Sequence, residues 1–120
     1  MNFLRVENTR RSLVIGDRIR MASNPWLRFK GLMGVRTIQP GTGMLFPHTN
    51  VVHGFFMRIP LLLVYLGPRR EILQVAILKP WRIGPFVSKA RFVLEMPADT
   101  PRVGLLTGDR LDWHASPPAP

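Results

Sequence analysis

Cysteine is absent from this 120-residue chain. Disulfides, thiolate metal sites, cysteine nucleophiles and dithiol redox couples are excluded with it, and nothing points to an oxidising compartment. Acidic side chains are scarce, seven Asp and Glu against 17 Lys and Arg. Long apolar runs are also missing. The longest, Leu61 to Leu66, falls far short of the roughly 20 residues that span a membrane. Met1 to Asp17 holds arginines but no apolar run of the about seven residues a signal peptide needs. The expectation is a soluble, cytoplasmic protein. No internal repeat and no second long helix can be found. One β-rich domain over 1–114 is expected, followed by a proline-rich tail at 115–120.

What is present is hydrophobic material and positive charge. Hydrophobic residues make up 46% of the chain, enough for a core. The formal charge is +10, and arginine supplies 14 of the 17 cations. A balance this basic suits an anionic partner such as nucleic acid, a membrane surface or an acidic protein. The cations are scattered, with short clusters at Arg10-Arg11 and Arg69-Arg70, a pattern that also suits an ordinary solvated surface.

The pattern along the chain predicts short strands. Phe3 to Glu7 and Ser12 to Ala22 form a pair around the polar turn Asn8 to Arg11. Leu13, Ile15, Ile19 and Met21 share one parity of the second strand, with Gly16-Asp17 marking a bulge. Ser23 to Met33 predicts the one clear helix. Ser23 or Asn24 caps it, Pro25 fits its first turn, Trp26, Phe29 and Met33 share a face, and Gly34 stops it. A short strand is expected at Met44 to Phe46 and a longer one at Val51 to Ile59, with His53, Phe55, Met57 and Ile59 on one face. Leu61 to Leu66 and Glu71 to Leu78 make the best hairpin, turning at Gly67 to Arg70. Lys79 to Ala90 is broken by Pro80, Gly84 and Pro85. Strands follow at Arg91 to Met96 and Arg110 to Trp113, with a short helical turn expected within 97–106. The fold class is mainly β: a compact antiparallel sandwich or small barrel with one short helix near 24–33.

Several stretches, taken in order, resemble a known family. These are Gly31-Leu32-Met33-Gly34, Gly43-Met44-Leu45-Phe46, His53-Gly54-Phe55-Phe56-Met57-Arg58-Ile59-Pro60, Lys79-Pro80-Trp81-Arg82, Val93-Leu94-Glu95-Met96-Pro97 and Gly108-Asp109. Their order and spacing are similar to those of the prokaryotic domain-of-unknown-function family 192, over roughly Ala22 to Leu111. The resemblance implies a compact, mainly β fold and no established activity. Two positions depart from the family pattern. Leu62 stands where relatives usually carry an acid, and Gly54 where they tend to carry threonine.

Candidate chemistry narrows by elimination. His48 and His53 lack a convergent ligand spacing, so no metal or other cofactor is expected. A phosphate cradle needs a glycine loop entering a helix, and neither Gly31 to Gly34 nor Gly41 to Gly43 has that direction. A hydrolase would use His53 as base with Glu95 or Asp109 as orienting acid, and no nucleophile elbow accompanies them. Asp109 suits a turn, and Glu95 reads as an outward strand residue beside Arg91. Nucleic-acid binding would use a basic face with Trp81 available for stacking. The leading reading is a non-catalytic module for a small anionic ligand, a glycan or a protein partner. Its candidate residues are His53, Arg58, Trp81, Arg82 and Glu95, an aromatic and guanidinium combination.

Overall fold

The computed structural model describes residues 3–22 and 36–116. Seven strands carry the fold: β1 (Leu4–Asn8), β2 (Leu13–Met21), β3 (Thr42–Pro47), β4 (Leu61–Leu66), β5 (Ile72–Leu78), β6 (Phe92–Pro97) and β7 (Asp112–Ala115). They form one sheet in the order β5-β4-β6-β3-β2-β1-β7. The mainly β expectation holds. The sheet is mixed, however, and is not closed into a barrel. The helix expected over 23–33 lies outside the described residues.

The parallel pair is β2 with β3, where adjacency in sequence suggests antiparallel neighbours. The physical reason is the long chain between Met21 and Thr42. Parallel strands need a crossover of about a dozen residues or more, and this connection is long enough. The other neighbours pair antiparallel, β4 with β5 as the expected hairpin. The β1–β2 pair also forms, with an irregular register between Leu4 opposite Ile19 and Val6 opposite Gly16. That places a bulge at Asp17-Arg18, beside the glycine that signals it. Of the helical turn expected within 97–106, a single 3-10 turn forms at Arg102–Gly104.

All six residues of β4 are buried. Alternation along a strand sends successive side chains to opposite faces, so both faces of the sheet are covered here. Leu62, Val64, Leu66, Leu94 and Met96 fill the main core with Ile19, Leu45 and Leu111. Leu63, Tyr65 and Val93 face the other way and pack with Leu78 and Ala90. Leu62 is wholly buried in the main core, so the position where the resemblance implies an acid is apolar packing in this chain.

The loops 48–59 and 79–90 cover the second face. The strand expected at Val51 to Ile59 is reduced to a single bridge between His53 and Ile83. Two features explain this. Pro80 and Pro85 in the facing segment have no N–H to give to a ladder. The chain also turns at Phe55-Phe56, where Phe56 adopts φ 66° and Met57 N–H donates to Gly54 O at 3.1 Å.

Candidate functional site

The backbone joins the two loops closely. Gly54 N–H donates to Arg82 O at 2.7 Å, and Trp81 N–H donates to Gly54 O at 2.7 Å. A Cβ on Gly54 would come 2.7 Å from Lys79 O. A backbone approach this close favours glycine, the residue that stands here where the resemblance implies threonine.

This contact fixes two aromatic residues at turn tips. Trp81 holds φ 64°, a left-handed conformation that side chains with a Cβ rarely adopt. The residue is 60% exposed. The Phe56 ring lies 4.9 Å from it, Phe55 lies 6.4 Å away, and His53 stacks on Phe55 at 4.7 Å. The His53 Nδ1 atom accepts a 3.3 Å hydrogen bond from Phe55 N–H.

A groove of about 530 Å³ opens beside Trp81, lined by Arg36, Met57, Arg58, Ile59, Pro80 and Trp81. Met57 is buried and forms the apolar base, while Arg36 and Arg58 are exposed. Two guanidinium groups, an indole and a methionine can hold an anion and an apolar or planar body at once.

The candidate residues are therefore distributed unevenly. Arg58 and Trp81 meet in the groove. His53 joins Trp81 through the Phe55 ring. Arg82 is exposed and follows Trp81 directly. Glu95 is not among the groove's lining residues. Instead of facing outward beside Arg91, it is 4% exposed, at the centre of the sheet. Met44 and Leu63 are its register partners on the two flanking strands. The expectation fails because β6 is an interior strand whose two faces are both covered. Burial pushes the Glu95 carboxyl up to about 8. Tyr65, on the same face, is pushed up to about 12, by burial first and by the Glu95 charge second. The Tyr65 hydroxyl donates to Pro85 O at 2.7 Å and so holds the covering loop down.

Asp109 is also more than a turn residue. It is buried and accepts hydrogen bonds from Asn8 and Arg11. Among the described residues no hydrogen bond or ion pair joins His53 to Glu95 or Asp109, and no three His, Asp or Glu side chains gather in a metal-binding group. Sequence reasoning missed Phe55, Phe56 and Arg36. The adjacent phenylalanines carried a usable signal: alternation sends one of two consecutive strand side chains outward, so two neighbouring aromatics cannot share one buried face.

Comparisons agree with this architecture. A protein of unknown function from Novosphingobium aromaticivorans superposes with a TM-score of 0.75 at 24% identity, over 92% of this chain and 83% of that one. A chain from Sinorhizobium meliloti gives a TM-score of 0.73 at 23% identity, over 93% and 92%. At these identities the likeness concerns the fold. A UPF0127 protein of Pyrococcus furiosus is 31% identical over 100 residues, covering 80% of this chain and 86% of its own length. Another, from Pyrococcus abyssi, is 28% identical over 91 residues, 70% of this chain and 78% of its own length. The model of domain-of-unknown-function family 192, described as "Uncharacterized ACR", matches residues 6–113. With the motifs of both loops and of β6 falling inside that match, the chain belongs to domain-of-unknown-function family 192.

Proposed function

We propose that this chain is a non-catalytic binding domain whose site is the groove at Trp81, and that it takes a small ligand with an anionic group and a flat or apolar body. One observation carries the reading: Trp81, held outward in a left-handed conformation, shares a groove with Arg58 and Arg36. Backbone strain of this kind costs about 1–3 kcal/mol and tends to persist where the surrounding structure holds a residue for use. The Met57 and Ile59 side chains supply the apolar contact, and the guanidinium groups supply paired donors for a phosphate or carboxylate.

The reading is tested by titrating the protein with inorganic phosphate, a sugar phosphate and an aromatic carboxylate while following tryptophan emission. Saturable change is expected for at least one of the organic anions. It should be lost in Trp81→Phe and weakened about tenfold or more in Arg58→Gln, the effect of removing a charge-assisted bond. Absence of saturable change across the panel contradicts the reading.

A second reading, non-specific nucleic-acid binding, is favoured by one feature. The loops 48–59 and 79–91 contain Arg58, Lys79, Arg82, Lys89 and Arg91 and no acidic residue. A labelled mixed-sequence oligonucleotide followed by anisotropy over a salt series separates it from the first. Counterion release requires log affinity to fall linearly with log salt.

A further inference from the structure

The outer side of the two covering loops forms a second surface, continuous with the groove but facing away from the sheet. Residues 50–54 and 82–87 run antiparallel as an irregular ribbon. His53 bridges Ile83, Gly84 N–H donates to Val52 O at 2.8 Å, and Val87 N–H donates to Asn50 O at 3.0 Å. Val52 and Val87 pack inward against the cluster of Leu63, Tyr65 and Val93. That leaves Phe55, Phe56, Trp81, Ile83 and Phe86 outside, with Ile83 67% and Phe86 68% exposed. The ring contacts from His53 through Phe55 and Trp81 to Phe56 make part of this apolar face continuous. Soluble monomers rarely leave so many large apolar side chains together in water.

We propose that this face docks the protein on a lipid bilayer carrying anionic headgroups. The combination of exposed apolar side chains with flanking positive charge selects this occupant, since a nucleic acid would leave Ile83 and Phe86 without apolar partners. The loops that display the aromatics contain Arg58, Lys79, Arg82, Lys89 and Arg91 and no acid, so cations flank the apolar side chains. Trp81 suits the boundary between headgroups and acyl chains, the phenylalanines and Ile83 suit the apolar layer just beneath, and the basic flanks meet the negative surface above it. Among the ring and aliphatic side chains of the stripe, only the His53 imidazole and the Trp81 indole N–H carry a polar atom. The Phe55, Phe56, Ile83 and Phe86 side chains need no hydrogen bonds from an occupant, a condition that acyl chains meet, and the Trp81 N–H and His53 ring can face the wet headgroup layer. The association is peripheral: among the described residues no helix is long and apolar enough to cross a membrane. The inference goes beyond the groove reading and does not rest on it.

The test uses the full chain in vesicle flotation, with vesicles of phosphatidylcholine alone and of an equimolar mixture with phosphatidylglycerol. Tryptophan emission is recorded with and without brominated acyl chains. Flotation is expected with the mixed vesicles and not with phosphatidylcholine alone, with a blue shift and bromine quenching. The chain has three tryptophans, so Trp81→Phe assigns the signal: it should float while losing the shift. The double variant Ile83→Asp, Phe86→Asp should lower partitioning on the order of a hundredfold, about tenfold for each large side chain withdrawn. Both side chains are exposed, so an unchanged melting curve shows that the fold is kept. Failure to float overturns the proposal. So does flotation without quenching, which would be adsorption through net charge, and so does a double variant that partitions like the parent. Glycerol phosphate saturating the Trp81 emission while vesicles fail to bind would support the groove and overturn the bilayer.

Discussion

The Arg11 guanidinium donates to the carboxylate of Asp109, 98 positions further along the chain. The same buried acid accepts from Asn8 Nδ2 at 3.0 Å, and Asn8 also donates to Gly104 O at 2.9 Å. Arg10 adds a 3.5 Å ion pair from the exposed side. The turn between β1 and β2 thus clamps the loop that leads into β7. Nearby, Ile72 N–H donates to Asp109 O at 2.8 Å and Leu111 N–H to Arg70 O at 3.0 Å. One acid therefore organises the corner where the two ends of the sheet approach each other.

The clamp has a pH signature. The Arg11 hydrogen bond, then the Asn8 hydrogen bond, hold the Asp109 carboxyl below the usual aspartate value. An acid with a lowered folded-state pKa contributes stability above its unfolded value, about 4, and that stability is lost as pH falls through the folded value. Asp109→Asn is expected to lower the melting temperature at pH 7, and the difference from the parent should shrink below about pH 4. Thermal melts at both pH values check it. Asn8→Ala, which removes two buried hydrogen bonds donated by Nδ2, should cost about 2–3 kcal/mol at pH 7 and less below about pH 4, where Asp109 loses the charge that one of them serves, read from urea unfolding.

Glu95 acts in the opposite direction. Its carboxyl ionises near 8 in the folded chain and near the ordinary glutamate value, about 4.3, when unfolded. Between those values the folded state keeps a proton that the unfolded state releases, so raising pH lowers stability. The loss is complete above about pH 8 and absent below about pH 4. Glu95→Gln should flatten this slope and gain stability on the order of a few kcal/mol at pH 9. It should show little gain at pH 4. Urea midpoints at the two pH values give the result, and parallel curves for parent and variant would contradict it.

Gly54 measures the closeness of the two loops. Gly54→Thr restores the residue type that the family resemblance implies, yet its Cβ would come 2.7 Å from Lys79 O. Overpacking against a backbone atom costs about 1–3 kcal/mol. The expected outcome is that much destabilisation, together with loss of hydrogen-exchange protection at Trp81 N–H, whose acceptor is Gly54 O.

Trp81 separates stability from binding. At φ 64°, Trp81→Gly relieves a left-handed strain of about 1–2 kcal/mol, against which stands the loss of the Phe56 ring contact. The variant should melt at or slightly above the parent temperature while losing ligand response at the groove. Calorimetry combined with the anion titration tests both halves.

Much of this was legible in the sequence, for identifiable reasons. The runs Leu61 to Leu66 and Glu71 to Leu78, separated by Gly67 to Arg70, specify a hairpin because turn residues and apolar runs act locally. The parity of Ile15, Ile19 and Met21 was readable too, since the period of a strand is a property of the chain alone. That Arg58, Trp81 and Arg82 are exposed was legible as well, because guanidinium and indole groups beside turn-forming glycines and prolines tend to lie at the surface.

Tertiary structure decided the rest. The sequence determined the number and type of most strands, the absence of thiol chemistry and the basic charge, all of which follow from composition and short-range pattern. It could not tell that β2 and β3 run parallel, because strand direction depends on how a long connection crosses the sheet. It could not distinguish an outward Glu95 from a buried one, because alternation names two faces without saying that both are covered. Nor could it show that Gly54 lies against the Lys79 carbonyl, a contact between residues 25 positions apart that turns a predicted strand into the ribbon displaying Phe55, Phe56 and Trp81. Those features depend on which segments meet in space, and that is settled by the burial of the whole chain at once.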